Sequence, residues 1–381
     1  MRKILAMVMV LAACGQDTGL DDQGLASASD PVSQGQHVGQ NARVMTRNLY
    51  LGADLSPAIG VTDLTQFVAG TGAVLRQVTA TNFPVRAQGL AAEILAAKPD
   101  LVGLQEVALW RTGPASMAPL LGYPKTASTV RYDYLQLLLA ELNAGGVLYE
   151  PVVVQEEFDF EAPADENQVA GDGPAPIVNA EHDARLTMRD VILARVDAGI
   201  RVSNPRSGHF THLLTLPVLS GGVAVTRGWT SIDVRVRGTT AFRFAATHLE
   251  AFDPRVLHPS IRALQAGELP AALAGDLPVV LVGDLNSDDD TVVPDDQQAY
   301  RALLDAGFVE RSTADPLSCC IESSYDLTTG TAAEFDHQVD HVMTNAPDTV
   351  RLVESFVTGR EMANGYWDSD HAGLASVLWI K

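Results

Sequence analysis

The stretch Val279-Val280-Leu281-Val282-Gly283-Asp284-Leu285-Asn286 decides the reading of this chain. Val279–Gly283 is fully apolar and too short for a typical helix, so it reads as a buried strand. Its C-terminal end passes at once into an acid and a carboxamide. The same switch recurs elsewhere. Leu101-Val102-Gly103-Leu104 runs into Gln105-Glu106, and Phe244-Ala245-Ala246 runs into Thr247-His248. Near the C-terminus stand Val339-Asp340-His341 and Ser369-Asp370-His371. If these ends converge, they form a crevice lined by Glu106, Asp284, Asn286, Asp340 and Asp370, with His248 and His371. Carboxylates, a carboxamide and imidazoles together suit a hard divalent cation and a phosphate. Each piece alone has a plainer explanation: Gly-Asp-x-Asn is built of turn residues, and a His beside a strand is commonly structural.

Working outward, strands and helices alternate from Arg43 onward. Strands are expected at Arg43–Tyr50, Asp100–Val107, Tyr149–Val154, Asp190–Val196, Thr230–Arg237, Ala241–Leu249, Val339–Met343, Leu352–Val357 and Leu374–Ile380. Helices are expected at Pro84–Lys98, Tyr132–Asn143, Leu257–Leu273 and Gln297–Asp305, the first stopped by Pro99 and the second by Gly145-Gly146. Gly238 suggests a hairpin. Hairpins need antiparallel pairing, which disfavours a purely parallel doubly wound sheet. Two packed mixed sheets with helices outside fit better, and no internal repeat is present.

The ordered set resembles the endonuclease/exonuclease/phosphatase superfamily, whose fold is DNase I-like. It comprises Asn48 in Thr46-Arg47-Asn48-Leu49-Tyr50, then Leu104-Gln105-Glu106, Thr247-His248-Leu249, Gly283-Asp284-Leu285-Asn286, Val339-Asp340-His341 and Ser369-Asp370-His371. Gly-Asp-x-Asn and Ser-Asp-His are its most specific elements. The resemblance implies a four-layer α/β sandwich, two packed mixed β-sheets flanked by helices, and a Mg²⁺-dependent phosphoric ester hydrolase, with Mn²⁺ or Ca²⁺ as alternatives. It further implies that Glu106 is the main metal ligand, with Asp370 and Asn48 near the metal or its waters. Asp284 would orient or deprotonate the attacking water, and Asn286 would donate to a phosphate oxygen. His371 would face the phosphate with Asp340 holding its tautomer. His248 would be a second imidazole donor, with Asp190 as its expected partner. Asp284 and Asn286, two apart, are expected to share a side if strand geometry persists. Arg189 either binds phosphate or pairs with a surface acid, and Tyr50 and Asp54 are candidates for the entrance.

The N-terminus reads as a targeting segment. Arg2-Lys3 precede the short apolar run Ile4–Ala13, well below the roughly 20 residues a spanning helix needs. Leu11-Ala12-Ala13-Cys14 resembles a bacterial lipobox, which implies a signal peptide at 1–13, lipid on Cys14 and a flexible tether at 14–40 before a catalytic domain at 41–381. An exported, membrane-anchored lipoprotein at the surface or in the periplasm follows, with plain secretion as the alternative. The other two cysteines, Cys319 and Cys320, are adjacent. A vicinal disulfide is outside the usual Cα separation; two reduced thiols are the alternative.

The formal net charge is −21. Such a surface repels polyanions unless cations intervene. Acid concentrates in Gln155–Asp183, expected to be a mobile solvated surface loop. A phosphate ester is the expected partner, whether nucleic acid, phospholipid head group or small molecule, and no protein partner is inferred. A nuclease-like phosphodiesterase leads. Sphingomyelinase-like and small-molecule phosphatase activities are alternatives, as is a catalytically inactive surface binding module. Every motif position carries a competent residue type, which argues against the last.

Overall fold

The apolar runs pair into two large sheets, and their pairing sends the polar strand ends to one rim. A computed structural model describes residues 39–237, 240–252, 259–288, 297–313, 316–322 and 325–381. The expected signal segment, Cys14 and all of the 14–40 tether but its last two residues lie outside the described residues.

Strands are numbered in chain order. The first sheet holds β1 (Gln40–Asn48), β2 (Leu101–Gln105), β3 (Leu109–Pro114), β4 (Thr129–Asp133), β5 (Tyr149–Ala164), β6 (His182–Arg195), β15 (Val350–Thr358) and β16 (Gly373–Ile380). Its order is β15-β16-β1-β2-β6-β3-β4, with β5 also paired to β6. The second holds β7 (Ile200–His209), β10 (Gly228–Val236), β11 (Thr240–His248), β12 (Val279–Asp284), β13 (Val309–Glu310) and β14 (Asp340–Thr344), in the order β13-β14-β12-β11-β10-β7. A separate hairpin joins β8 (Leu214–Val218) to β9 (Gly221–Val225). Both large sheets are mixed: β1 is parallel to β2 and antiparallel to β16, and β12 is parallel to β11 and antiparallel to β14.

Three apolar clusters separate four layers. Val44, Leu101 and Leu378 of the first sheet meet Phe244, Val280 and Val342 of the second. Outside the first sheet, α1 (Leu64–Ala80), α2 (Phe83–Ala97) and α3 (Tyr134–Leu142) bury Leu75, Leu90 and Leu138 against it. Outside the second, α4 (Ile261–Ala272) and α5 (Gln298–Asp305) bury Leu269 and Leu303. This is the expected four-layer α/β sandwich.

Several local expectations are corrected. Helix α1 was not anticipated. The acidic tract is no free loop through its first half, because β5 runs to Ala164 along β6. Two of its charges are engaged there: Asp159 ion-pairs with Arg185 at 2.8 Å and Lys125 at 3.1 Å, and buried Glu161 accepts from the Thr126 and Ala127 amides at 3.0 Å. The first strand opens at Gln40 rather than Arg43, and the helix expected from Tyr132 starts at Tyr134, capped by the Asp133 side chain. Of the helix expected from Leu257, α4 carries Ile261–Ala272; 253–258 lie outside the described residues, as do 238–239 at the expected hairpin turn. Cys319 and Cys320 flank a cis peptide, with Cα atoms 3.1 Å apart and their sulfurs side by side.

Candidate active site

Register sets the site before any side chain is considered. Asn48 ends β1 opposite Gln105 of β2, which delivers Glu106 just past the strand. In the second sheet His248 lies beside Asp284, and Asp284 beside Asp340. Asp370 and His371 lead into β16, the antiparallel neighbour of β1. Gly283 precedes Asp284 because a Cβ there would sit 2.1 Å from the Thr247 carbonyl oxygen. Only glycine allows that approach.

Asp284 is buried at the centre. Its Oδ2 accepts from Asn48 Nδ2 at 2.9 Å and stands 3.6 Å from His248 Nε2 and 3.7 Å from His371 Nε2. Its Oδ1 accepts from the Asn286 amide at 2.8 Å. Burial raises its pKa, opposed by His371 and reinforced by Asp340. Strand geometry does not persist to Asn286, whose φ is 48°, so the alternation expected from two-residue spacing does not apply. The Asn286 side chain instead donates to the Leu249 carbonyl at 3.1 Å, leaving one amide hydrogen for another acceptor.

The two imidazoles are in opposite states. His371 Nδ1 lies 2.9 Å from Asp340 Oδ2. Burial lowers its pKa, but the Asp340 and Asp284 carboxylates outweigh burial and push it up to about 10. It is an imidazolium at neutral pH. His248 is also buried, and burial together with the Arg227 charge lowers its pKa well below 6.5. Arg227 Nη1 donates to His248 Nδ1 at 2.9 Å, which leaves the ring proton on Nε2, toward Asp284. Asp190, expected as the partner of His248, makes no hydrogen bond or ion pair with it. Its Oδ2 has no hydrogen-bond partner, and burial raises its pKa to about 8, with Arg227 the strongest opposing charge. Arg227, and not Asp190, is the hydrogen-bond partner of His248 Nδ1.

Glu106 and Asp370 form the acidic side. Glu106 has φ 55°, and its Oε2 accepts from the Leu51 amide at 2.6 Å. Its Oε1 accepts no hydrogen bond among the described residues and lies 4.0 Å from His248 Nε2. Burial raises both pKa values, Asp370 to about 6, with Glu106 adding to that rise. Two half-buried carboxylates whose charges repel, one with an oxygen that accepts no hydrogen bond among the described residues, fit a divalent cation. A Mg²⁺ ion commonly takes one or two carboxylates and fills its remaining positions with water and substrate. Asn48 does not offer its oxygen freely: Oδ1 accepts from the Tyr50 amide at 2.9 Å while the amide nitrogen holds Asp284. It bridges the two sheets.

Three groups beyond the expected set shape the site. Buried Arg86 donates to the carbonyls of Thr81, Leu49, Asp368 and Tyr50, at 2.9, 2.8, 2.9 and 3.2 Å. Arg47 donates to the His371 carbonyl and pairs with Glu93 at 2.9 Å. Cys320 and Cys319 sulfurs lie 3.7 and 3.9 Å from His371 Nε2. Arg47 stands within the Thr46–Tyr50 segment without having drawn a role, and no motif signals Arg86, because an isolated Arg reads as surface charge. Arg189 resolves as structural: it pairs with Asp133 at 2.6 Å and donates to the Val107 carbonyl. Tyr50 and Asp54 do line the cavity beside Glu106 and Asp370.

Residues 68–371 match the model of the Endonuclease/Exonuclease/phosphatase family. Among solved structures, the chain is similar to an endonuclease/exonuclease/phosphatase family protein from Bacteroides thetaiotaomicron. The identity is 14% and the TM-score 0.51, over 91% of this chain and 97% of that one. It is similar also to a family protein from Leptotrichia buccalis C-1013-b, at 13% identity and a TM-score of 0.52, over 88% of this chain and 99% of that one. These likenesses concern the fold. Comparison with curated proteins finds no match.

Proposed function

We propose, from the premise that the chain belongs to the endonuclease/exonuclease/phosphatase family of phosphoesterase hydrolases, that it is a divalent-metal-dependent phosphodiesterase acting outside the cytoplasm. One observation carries the reading: Asp284 Oδ2 stands within 3.7 Å of two imidazole nitrogens, and Glu106 Oε1 lies 4.0 Å from the same Nε2 of His248.

A phosphodiester is an anion that repels its nucleophile, so the site must neutralise, orient and accept a proton. The cationic His371 holds an equatorial phosphate oxygen. The neutral His248, through Nε2–H, and Asn286, through its remaining amide hydrogen, hold the other non-bridging oxygen. Asp284, made more basic by burial, orients the attacking water and takes its proton. As water oxygen bonds to phosphorus, the bond to the leaving oxygen breaks in line. Asp340 accepts the Nδ1–H of the His371 imidazolium, which leaves its Nε2–H for substrate. Glu106 and Asp370 are the residues that would hold Mg²⁺, with Asn48 acting through Asp284. A bound divalent cation supplies charge neutralisation at the phosphoryl or leaving oxygen.

The n-region Arg2-Lys3, the apolar run and Cys14 support export, a lipid on Cys14, and a tether to the domain from 41. Plasmid DNA, sphingomyelin and a generic phosphodiester, each assayed with Mg²⁺ and with EDTA, test the reading. Metal-dependent hydrolysis of at least one is expected, and none by any metal would refute it.

A further inference from the structure

A cavity of about 230 Å³ opens directly off the acidic side of the site. Its catalytic end is polar, with Glu106, Asp370 and Arg227. The rest is hydrocarbon and aromatic: Phe67 and Val74 of α1, Phe158 and Phe160 of β5, Leu186 of β6, and the β8–β9 hairpin. The other polar side chains on the wall are already engaged. Thr71 Oγ1 donates to the Phe67 carbonyl of its own helix at 3.0 Å. Tyr50 Oη donates to the Tyr325 carbonyl at 3.1 Å, and Asp54 Oδ1 accepts from the Ser56 amide at 2.9 Å. Away from its catalytic end, the cavity therefore offers little to the hydrogen-bonding edges of a sugar or a base.

The hairpin makes the outer wall. It joins neither large sheet, and its alternation exposes Thr215 and Pro217 while Leu214, Leu216 and Val218 turn away from solvent. Leu216, Val218, Val223 and Val225 face the cavity. Two backbone bonds fix it over the opening: Gly60 donates to the Pro217 carbonyl at 2.9 Å, and Leu219 donates to the Val61 carbonyl at 3.0 Å. A dry apolar cavity of about 150 Å³ suffices for benzene. The space here is larger, and it begins where the phosphate would lie.

We propose that this cavity is the subsite for an apolar substituent of the substrate, so that the preferred ester carries an alkyl or aryl group next to its phosphate. The inference rests on the phosphoesterase reading above and assigns its substrate class. Remote apolar binding of this kind raises turnover of the ester that carries it. It also suits an acidic protein, since an amphiphilic monoanion does not face the polyanion repulsion a nucleic acid would.

The test uses the full chain with Mg²⁺ and a series of methyl-, butyl- and octylphosphocholine, followed by ³¹P NMR, with plasmid DNA in parallel. Each methylene that enters the cavity is expected to raise kcat/KM about fourfold, or about sixtyfold from methyl to butyl. Val218→Glu puts a charge on the half-buried hairpin wall and is expected to flatten that slope. Ala162→Phe, which fills the cavity from β5, is a second route to the same loss. Phosphatidylcholine vesicles separate the sources: their cleavage points to a membrane lipid, and cleavage of soluble octylphosphocholine alone to a free amphiphile. Equal kcat/KM across the series, or a slope that survives in folded Val218→Glu, overturns the subsite and leaves the phosphoesterase reading standing. Hydrolysis of neither the esters nor DNA overturns both.

Discussion

Replacing Arg86 by methionine keeps an unbranched side chain in its slot but removes every donor. Four carbonyls, those of Leu49, Tyr50, Thr81 and Asp368, then lose a charged partner they meet at 2.8 to 3.2 Å. Bonds to charged groups are worth about 1.5–3 kcal/mol each, and stranded buried acceptors carry their own desolvation cost. Against this, the buried guanidinium's own desolvation is relieved, typically several kcal/mol. The balance is a loss of about 3 kcal/mol, or about 4 °C in Tm for a domain of this size. Activity should fall too, because the same guanidinium ties the turn after Asn48, where Tyr50 has φ 55°, to the loop leading to Asp370. Urea denaturation with kcat/KM on the same preparation reads both. Arg86→Lys, with three donors for four acceptors, should fall between. A methionine variant within about 0.5 kcal/mol of wild type and equally active would refute the idea that Arg86 organises the rim.

Other expectations follow from single contacts. Glu106→Gln removes one of the two acids on the proposed metal side and should weaken Mg²⁺ activation at least tenfold by titration, in line with about 10–100-fold for lesser changes around a metal. Arg227→Met frees His248 Nδ1 and removes a charge that lowers its pKa, so ¹⁵N-edited NMR should find that pKa higher than in wild type. Asp183 is buried and its pKa raised to about 7, by burial first and then by Glu161, against the pull of the Ser116 amide. A raised carboxyl pKa costs stability as pH climbs from about 4 through 7, so Asp183→Asn should raise Tm more at pH 8 than at pH 5. Cys14→Ser should abolish labelled palmitate incorporation and shift the protein from membrane to soluble fractions.

What was legible in the sequence was carried by apolar runs that end abruptly in polar residues. Leu101–Leu104, Phe244–Ala246 and Val279–Gly283 had to be strands buried in this sandwich, and parallel or antiparallel register then forces Glu106, His248, Asp284 and Asp340 to one rim. Helix α1 escaped notice because Val68, Thr71, Val74, Val78 and Thr79 are β-branched and Gly70 and Gly72 interrupt them. Those glycines answer to packing: a Cβ would fall 2.1 Å from the Pro57 oxygen at Gly70 and 1.7 Å from the Asp165 oxygen at Gly72. The acidic tract misled for a related reason. Charge density suggested solvent, yet Asp159 finds Arg185 of β6 and Glu161 finds amides of the loop before β4, which no local window contains. Arg227 and Arg86 act through contacts 21 and 282 residues away, to His248 and Asp368, so nothing beside them in the chain announces a role.

The most direct measurement is phosphodiester hydrolysis by purified Asp284→Asn, whose near-isosteric amide keeps volume but not basicity, with circular dichroism to establish its fold. Wild type should turn over with Mg²⁺ and stop in EDTA, while the folded variant should lose at least about 10²-fold in kcat. Wild-type-like turnover in that variant, or turnover indifferent to EDTA, would contradict the account at its centre.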